Sequence, residues 1–441
     1  MAEKKLKALL IIESCNPDWA AVHSVGYGFY SGIKNFVDVT LVTHERNKEA
    51  LQKAFPDENN IIYITDSSLT KRYLKIIDRV TKFGELTIWP LYNALVYPAY
   101  EEFNQTVFSL FGDAVLNGEF DIVHAITPVI PRYPVKIVDA CQKTPFFIGP
   151  LNGGLPFPPG FQEISRKEFS FFNFLRTVGR LTIPGYRKTY KKADKILSGS
   201  LYTLNWIKEY FSIEDEHIDL MHENGIVPSF LKSSLDISEP KNLDKQYLEL
   251  LFVGRLVPYK GADMLVEAIN NLQTSIKERV RLTIVGDGIE REVLEQKILA
   301  YNLQEKISIT GWIPKQETLK YYSSADVFCF PSIREFGGAV VLEAMANGLP
   351  CIVIDYGGIG EYVTEETGFK IPPTSKEYVV EQLKQHIECL VSDEKLRQQM
   401  SEQAVQRAKE YTWENKASQI VTLYKNALGI KEGILDEVRN S

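Results

Sequence analysis

The chain has 441 residues, 44% of them apolar and 24% charged, with a formal net charge of −7. That length exceeds one ordinary core and implies two domains of roughly 200 residues each. The composition is that of a globular protein, and the acidic balance excludes a general nucleic-acid binder, which needs a positive field to meet phosphates. Five scattered cysteines form no CxxC pair and no Cys/His spacing, so reduced, buried thiols in a cytosolic protein are expected rather than a metal site. The opening apolar run, 6–12, is too short for a signal peptide, and no run reaches the roughly 18 apolar residues that span a membrane.

In chain order, short apolar runs read as strands at 8–12, 39–42, 61–64, 122–125, 146–148 and 196–198. The rhythm restarts at 248–252, 281–285, 307–310, 327–329, 352–354 and 368–371. Alternation of such runs with helical patterns is the signature of parallel α/β sheets. Between the two series, 227–245 is polar and weakly periodic and reads as a linker, which divides the chain into a first domain, 1–235, and a second, 236–417. Thr412-Trp413-Glu414 opens a closing helix, with Thr412 as its cap.

One segment departs from this pattern. Residues 163–195 carry nine basic side chains against three acidic ones, around Phe169, Phe171, Phe172 and Phe174. The plainer reading, phenylalanines in a core and lysines in solvent, is favoured over contact with an anionic membrane surface.

The most informative stretch is Glu335-Phe336-Gly337-Gly338-Ala339-Val340, followed by Glu343. A helix that begins at the Gly-Gly turn leaves the amides of Gly337 to Val340 without intrahelical partners, a site for anions. Glu335 lies just before that helix and Glu343 inside it, separated by on the order of 10 Å at the helical rise. Acceptor, phosphate cradle, acceptor is an order that suits a nucleotide sugar. A two-carboxylate hydrolase is the competing reading, but this spacing straddles a diphosphate better than a glycosidic bond. Gly254-Arg255 to Lys260-Gly261 leaves a buried strand for a loop, where open α/β sheets bind ligands. Arg255 can fork onto phosphate oxygens, and Lys260 adds a compact charge.

With Val285-Gly286-Asp287-Gly288, Thr310-Gly311-Trp312, Ala325-Asp326-Val327, Gly357-Gly358 and Glu361, these motifs come in an order that resembles the retaining glycosyltransferases of family 4. The likeness is dense from 248 to 428 and looser in the first half, where Asp121-Ile122-Val123-His124, Gly149-Pro150-Leu151-Asn152-Gly153-Gly154 and His222-Glu223-Asn224-Gly225 fit. The resemblance implies a GT-B architecture, two facing doubly wound Rossmann-like α/β domains, with the C-terminal helix in 418–441 crossing back to the first. It implies that Arg255 and Lys260 neutralise the leaving diphosphate and that Glu343 holds the ribose. Glu335 would face the donor hexose, with Phe336, Gly337, Gly338, Ala339 and Val340 lending amides. Ile313, after Gly311, falls where relatives hold the base, and His124 matches a histidine that reaches the donor sugar. Gly26-Tyr27-Gly28 corresponds to a first-domain loop near the phosphates, with Asn152 on the acceptor side.

The expected activity is transfer of a hexose with retention, from UDP-glucose as the best single donor, onto a saccharide or lipid-linked saccharide of a cell-envelope or exopolysaccharide pathway at the inner membrane face. A UDP-sugar epimerase and a non-catalytic sugar-nucleotide binder are the alternatives. The chain contains no Asp-x-Asp triplet, so neither a metal nor another cofactor is expected. Gly286-Asp287-Gly288 and Gly358-Ile359-Gly360 lack the third glycine of a dinucleotide-binding fingerprint.

Overall fold

The computed structural model describes residues 5–83, 86–167, 174–231 and 247–430. Outside them lie most of the expected linker, the division at 235/236, Phe169, Phe171, Phe172, and 431–441 of the C-terminal segment. The chain forms two compact units. One comprises 1–154, 169–223 and 413–441, the other 155–168 and 224–412.

The first unit is built on seven parallel strands: β1 (Lys7–Ile12), β2 (Asp38–His44), β3 (Ile61–Ile64), β4 (Ile122–Thr127), β5 (Phe146–Leu151), β6 (Lys195–Ser198) and β7 (Ile218–Leu220). Their order is β3-β2-β1-β4-β5-β6-β7. The first six match the apolar runs of the sequence, while β7, three residues ending on an exposed Leu220, is too short to show a period. Side-chain alternation splits β1 between two cores: Leu9 and Ile11 enter one, and Ala8, Leu10 and Ile12 the other. Both faces are therefore covered, as a parallel sheet of Leu, Ile and Val requires.

Four helices of this unit bear on function: α1 (Val22–Ile33), α2 (Trp89–Leu95), α3 (Phe174–Thr182) and α4 (Tyr186–Lys192). The closing helix Trp413–Ala427 packs on α1. A Cβ at Gly28 would stand 2.2 Å from the Trp413 ring, so a glycine, which costs a helix interior about 0.5–1 kcal/mol, is what lets the two helices approach.

The second unit has six parallel strands: β8 (Leu248–Val253), β9 (Val280–Val285), β10 (Ile307–Ile309), β11 (Val327–Phe330), β12 (Cys351–Ile354) and β13 (Gly368–Ile371), ordered β10-β9-β8-β11-β12-β13. All six fall on the expected runs. Residues 155–168 belong here and not with the first domain, as a division at 235/236 would have them. Phe157 and Phe161 are buried in this unit's core, and the Tyr356 hydroxyl donates to Pro156 O at 3.1 Å. The segment carries no strand or long helical period, so its place was not legible from pattern. Among the described residues no helix is long and apolar enough to cross a membrane.

Candidate functional site

The second sheet reverses its winding between β8 and β11, the topological switch point at which open α/β sheets bind ligands beyond the strand ends. Two loops leave the sheet there. Residues 254–261 follow β8, and 331–338 follow β11 and enter helix α5 (Ala339–Ala346). The loops are stitched together. Ile333 N donates to Tyr259 O at 2.9 Å, Ser332 Oγ donates to the same carbonyl at 3.3 Å, and Lys260 Nζ is ion-paired with Glu335 Oε2. Ser332 Oγ also donates to Glu335 Oε2 at 3.3 Å. Ammonium and carboxylate are thus held side by side, both largely buried. The Arg255 guanidinium is exposed and donates to the Tyr259 hydroxyl at 2.7 Å, which aims it along the same loop.

At the head of α5, Gly338 adopts a left-handed conformation, φ 55 and ψ 58, and no side chain caps the helix. The amides of Gly337, Gly338, Ala339 and Val340 donate to no described protein group. Four convergent donors at a helix N-terminus favour a negative charge. The turn is buttressed from behind, where Gly358 N donates to Phe336 O at 3.0 Å and Glu335 pairs with Gly357 in an isolated bridge.

Inside α5, Glu343 is buried. It accepts from the Tyr322 hydroxyl at 3.0 Å and pairs with Lys315 Nζ at 3.0 Å. Burial, then the Glu343 carboxylate, pushes the Tyr322 phenol well above its ordinary pKa, so it stays a donor. Lys315 follows the Gly311 to Ile313 stretch, so this ion pair ties that loop to α5. Gly311 O accepts from Gly286 N at 3.1 Å, and Ile313 rests half-buried against the core. Lys315, Tyr322 and Ser332 were missed by sequence reasoning. Lys315 carried the one available signal, a cation just after Gly311-Trp312-Ile313-Pro314.

Three expectations in the first unit are corrected. His124 is fully buried. Its Nε2 donates to Gly149 O at 2.8 Å, which leaves Nδ1 to accept from the Tyr424 hydroxyl at 2.6 Å. Both ring nitrogens are used inside the unit, and burial holds the imidazole neutral, with its pKa lowered to about 3. It is a core residue. Gly26, Tyr27 and Gly28 lie within α1 rather than in a loop, and a Cβ at Gly26 would stand 2.1 Å from Ser14 O. The loop that follows β1 is instead 13–21. Asn152 is buried, with Oδ1 accepting from Ser200 Oγ and Thr203 Oγ1, each at 3.0 Å, and so braces the strand end.

Residues 234–407 match the family described as Glycosyl transferases group 1. Over that stretch, less than half of its length, the chain is similar to the group 1 glycosyltransferases. An uncharacterised glycosyltransferase of Methanocaldococcus jannaschii is 28% identical over 251 residues, 55% of this chain and 62% of that protein. A D-inositol 3-phosphate glycosyltransferase of Corynebacterium urealyticum is 33% identical over 182 residues, 40% of this chain and 42% of that one. The chain therefore spans less than two thirds of the length of either relative. The crystal structure of Anabaena HepE in complex with UDP superposes with a TM-score of 0.60 over 96% of this chain and 100% of that one, at 14% identity. That likeness establishes the fold, two parallel-sheet Rossmann-like units of the GT-B type.

Proposed function

We propose that this protein is a retaining glycosyltransferase that takes a hexose from a UDP-sugar, UDP-glucose first among them, and passes it to a saccharide or lipid-linked saccharide acceptor. The observation that carries the reading is the junction of Lys260, Glu335 and four uncommitted amides at one strand-end crevice. Breaking the bond to the anomeric carbon loads negative charge onto the diphosphate. Lys260 and the α5 amides, already fixed by ion pair and backbone, stabilise that charge without reorganising, and Arg255 adds its exposed guanidinium from the same loop. Glu335 faces the donor hexose, and Glu343, with Lys315 beside it, receives the ribose hydroxyls. The acceptor proton passes to a phosphate oxygen of the leaving group, so no protein nucleophile and no divalent ion takes part. The structure of the UDP complex of HepE and the name of a 28%-identical relative, the amylovoran biosynthesis glycosyltransferase AmsD of Erwinia amylovora, support a UDP donor and a polysaccharide product.

Incubation with a panel of nucleotide sugars, with EDTA present, tests this reading by release of nucleoside diphosphate. Release from a UDP-hexose is expected. No release from any donor, or a requirement for added metal, refutes it. So does conversion of the donor to an epimer without an acceptor, read by proton NMR.

The reading extends to an anionic membrane surface at the inner face of the cell membrane. On α3, Phe174, Val178 and Leu181 recur at i, i+4 and i+7 and are 57%, 47% and 74% exposed. The phenylalanine is in solvent, against the plainer reading of its segment. Helix α2, which packs on α3, adds Trp89, itself mostly exposed. The neighbouring α4 supplies Arg187, Lys188, Lys191 and Lys192, of which Lys188 and Lys192 are shared with Asp139. An apolar stripe with cations beside it fits anionic headgroups.

A further inference from the structure

Successive residues of the loop after β11 are held by stretches of chain other than their own. Ser332 and Ile333 donate to Tyr259 O, Glu335 bridges Gly357, and Phe336 O accepts from Gly358 N. Arg334, between them, reaches a third stretch. Its Nε donates to Leu155 O at 2.9 Å. Its guanidinium lies 4.8 Å from the centre of the Phe157 ring and 5.1 Å from that of Phe336. A cation set on aromatic faces is held the more firmly the less water reaches it.

The stretch that Arg334 reaches is a strap, 155–158, which belongs to the same unit. The Tyr356 hydroxyl donates to the next strap carbonyl, Pro156 O, at 3.1 Å. Arg334 and Tyr356 each stand one residue before a partner of the Glu335–Gly357 bridge, so two successive carbonyls of the strap are gripped from the two arms of that bridge. Leu155 and Phe157 are buried, and a Cβ at Gly357 would lie 2.8 Å from Leu155 Cδ2, so the strap packs directly on the bridge. Pro156 and Pro158 restrict the backbone of the strap itself.

Such a grip matters because Glu335 sits on a loop. A carboxylate that must meet one sugar hydroxyl has to be held to about 0.5 Å, and loops do this less well than helices or strands unless neighbours lock them. The Glu335 carboxylate is partnered by Lys260 and Ser332, and in the transferase reading Lys260 turns to the diphosphate when a donor binds. The aim of the carboxylate then depends on the backbone beneath it.

We infer that Arg334 is a positioning residue for Glu335. Bonded to the strap and set against the rings of Phe157 and Phe336, it fixes where the Glu335 carboxylate meets the donor hexose, while Lys260 and the α5 amides hold the nucleoside diphosphate. This deepens the transferase reading and rests on it for the identity of the ligand. A misplacement of about 1 Å at a reacting group can cost on the order of a hundredfold in rate.

The test uses the full chain and two ligands, UDP and UDP-glucose, titrated calorimetrically, together with UDP release from UDP-glucose. Arg334→Ala should bind UDP within about twofold of wild type, bind UDP-glucose about fivefold more weakly, and release UDP at least about tenfold more slowly. Arg334→Lys, which keeps the cation but not the Nε–H donor, should recover part of the loss. Because Arg334 acts through Glu335, Arg334→Ala should take nothing further from the UDP-glucose affinity of Glu335→Ala. Should Arg334→Ala not fold, Tyr356→Phe, which removes only a hydroxyl, takes its place and should show the same pattern at smaller size. Equal weakening of UDP and UDP-glucose would mark a general loosening of the unit and overturn the inference. So would unchanged UDP-glucose binding and release in Arg334→Ala, or an added loss on Glu335→Ala. If wild type passes sugar to no acceptor while the UDP-glucose titrations behave as expected, the transferase reading falls and the positioning role stands.

Discussion

Replacing Gly338 with alanine should weaken both the second unit and its hold on UDP. The residue's left-handed backbone, φ 55, costs an L-residue about 1–2 kcal/mol. A Cβ there would also lie 2.2 Å from Ile359 Cγ2, in a fully buried side chain, and 3.1 Å from Glu335 Cγ. Relieving such an overlap in a packed interior costs about 1–3 kcal/mol. Together the two effects reach ~2–5 kcal/mol, which lowers the unfolding temperature on the order of 10 °C in a unit of this size. Gly118→Ala separates the terms. Gly118 has φ 73, but nothing lies within 4 Å of its Cβ position, so only the backbone cost applies and a few degrees are lost. Relief of the clash moves either Ile359 or the turn carrying the amides of 337–340, so the Kd for UDP should rise at least about tenfold, 1.4 kcal/mol. Differential scanning calorimetry and titration with UDP measure both quantities. If Gly338→Ala loses no more stability than Gly118→Ala and still binds UDP as wild type does, the turn is not a rigid phosphate cradle.

Glu335→Ala should abolish sugar transfer yet leave UDP affinity within about tenfold, since it frees Lys260 for the diphosphate; a large loss of UDP binding in titration would contradict that division of labour. Lys315→Ala should weaken UDP binding several-fold by untying the 311–315 loop from Glu343, and an unchanged Kd would show that their 3.0 Å ion pair has no part in the site. The His124 imidazole titrates near 6.5 when exposed and near 3 in the folded unit, so the unfolded chain holds the extra proton between those values. Stability should therefore fall as pH drops from 6.5 towards 3, by up to ~1.4 kcal/mol per pH unit from this group. In urea melts across that range His124→Gln should show a shallower slope, and an identical slope would mean that the ring is accessible to protons. Leu181→Ser with Phe174→Ser should lose sedimentation with phosphatidylglycerol vesicles while UDP turnover with a soluble acceptor persists; vesicle binding equal to wild type would remove the membrane reading.

Local pattern was enough for the strands. All twelve runs read from the sequence became strands of two parallel sheets, because a strand buried on both faces must be a continuous apolar run whatever surrounds it. The donor crevice was legible for a related reason: Gly254 to Gly261 and Glu335 to Glu343 each lie within one loop or one helix start, where chemistry and spacing are set by neighbours in the chain. What tertiary structure alone decided is how side chains far apart in sequence meet. His124 turned from ligand to core residue because Tyr424, 300 positions away, fills its second hydrogen bond. Gly26 to Gly28 lie in a helix whose glycines admit close neighbours, Ser14 at Gly26 and Trp413 of the closing helix at Gly28, and 155–168 joined the second unit because Phe157 and Phe161 are buried there. Composition and period record what each segment must bury, and only the assembled fold records which segment buries it.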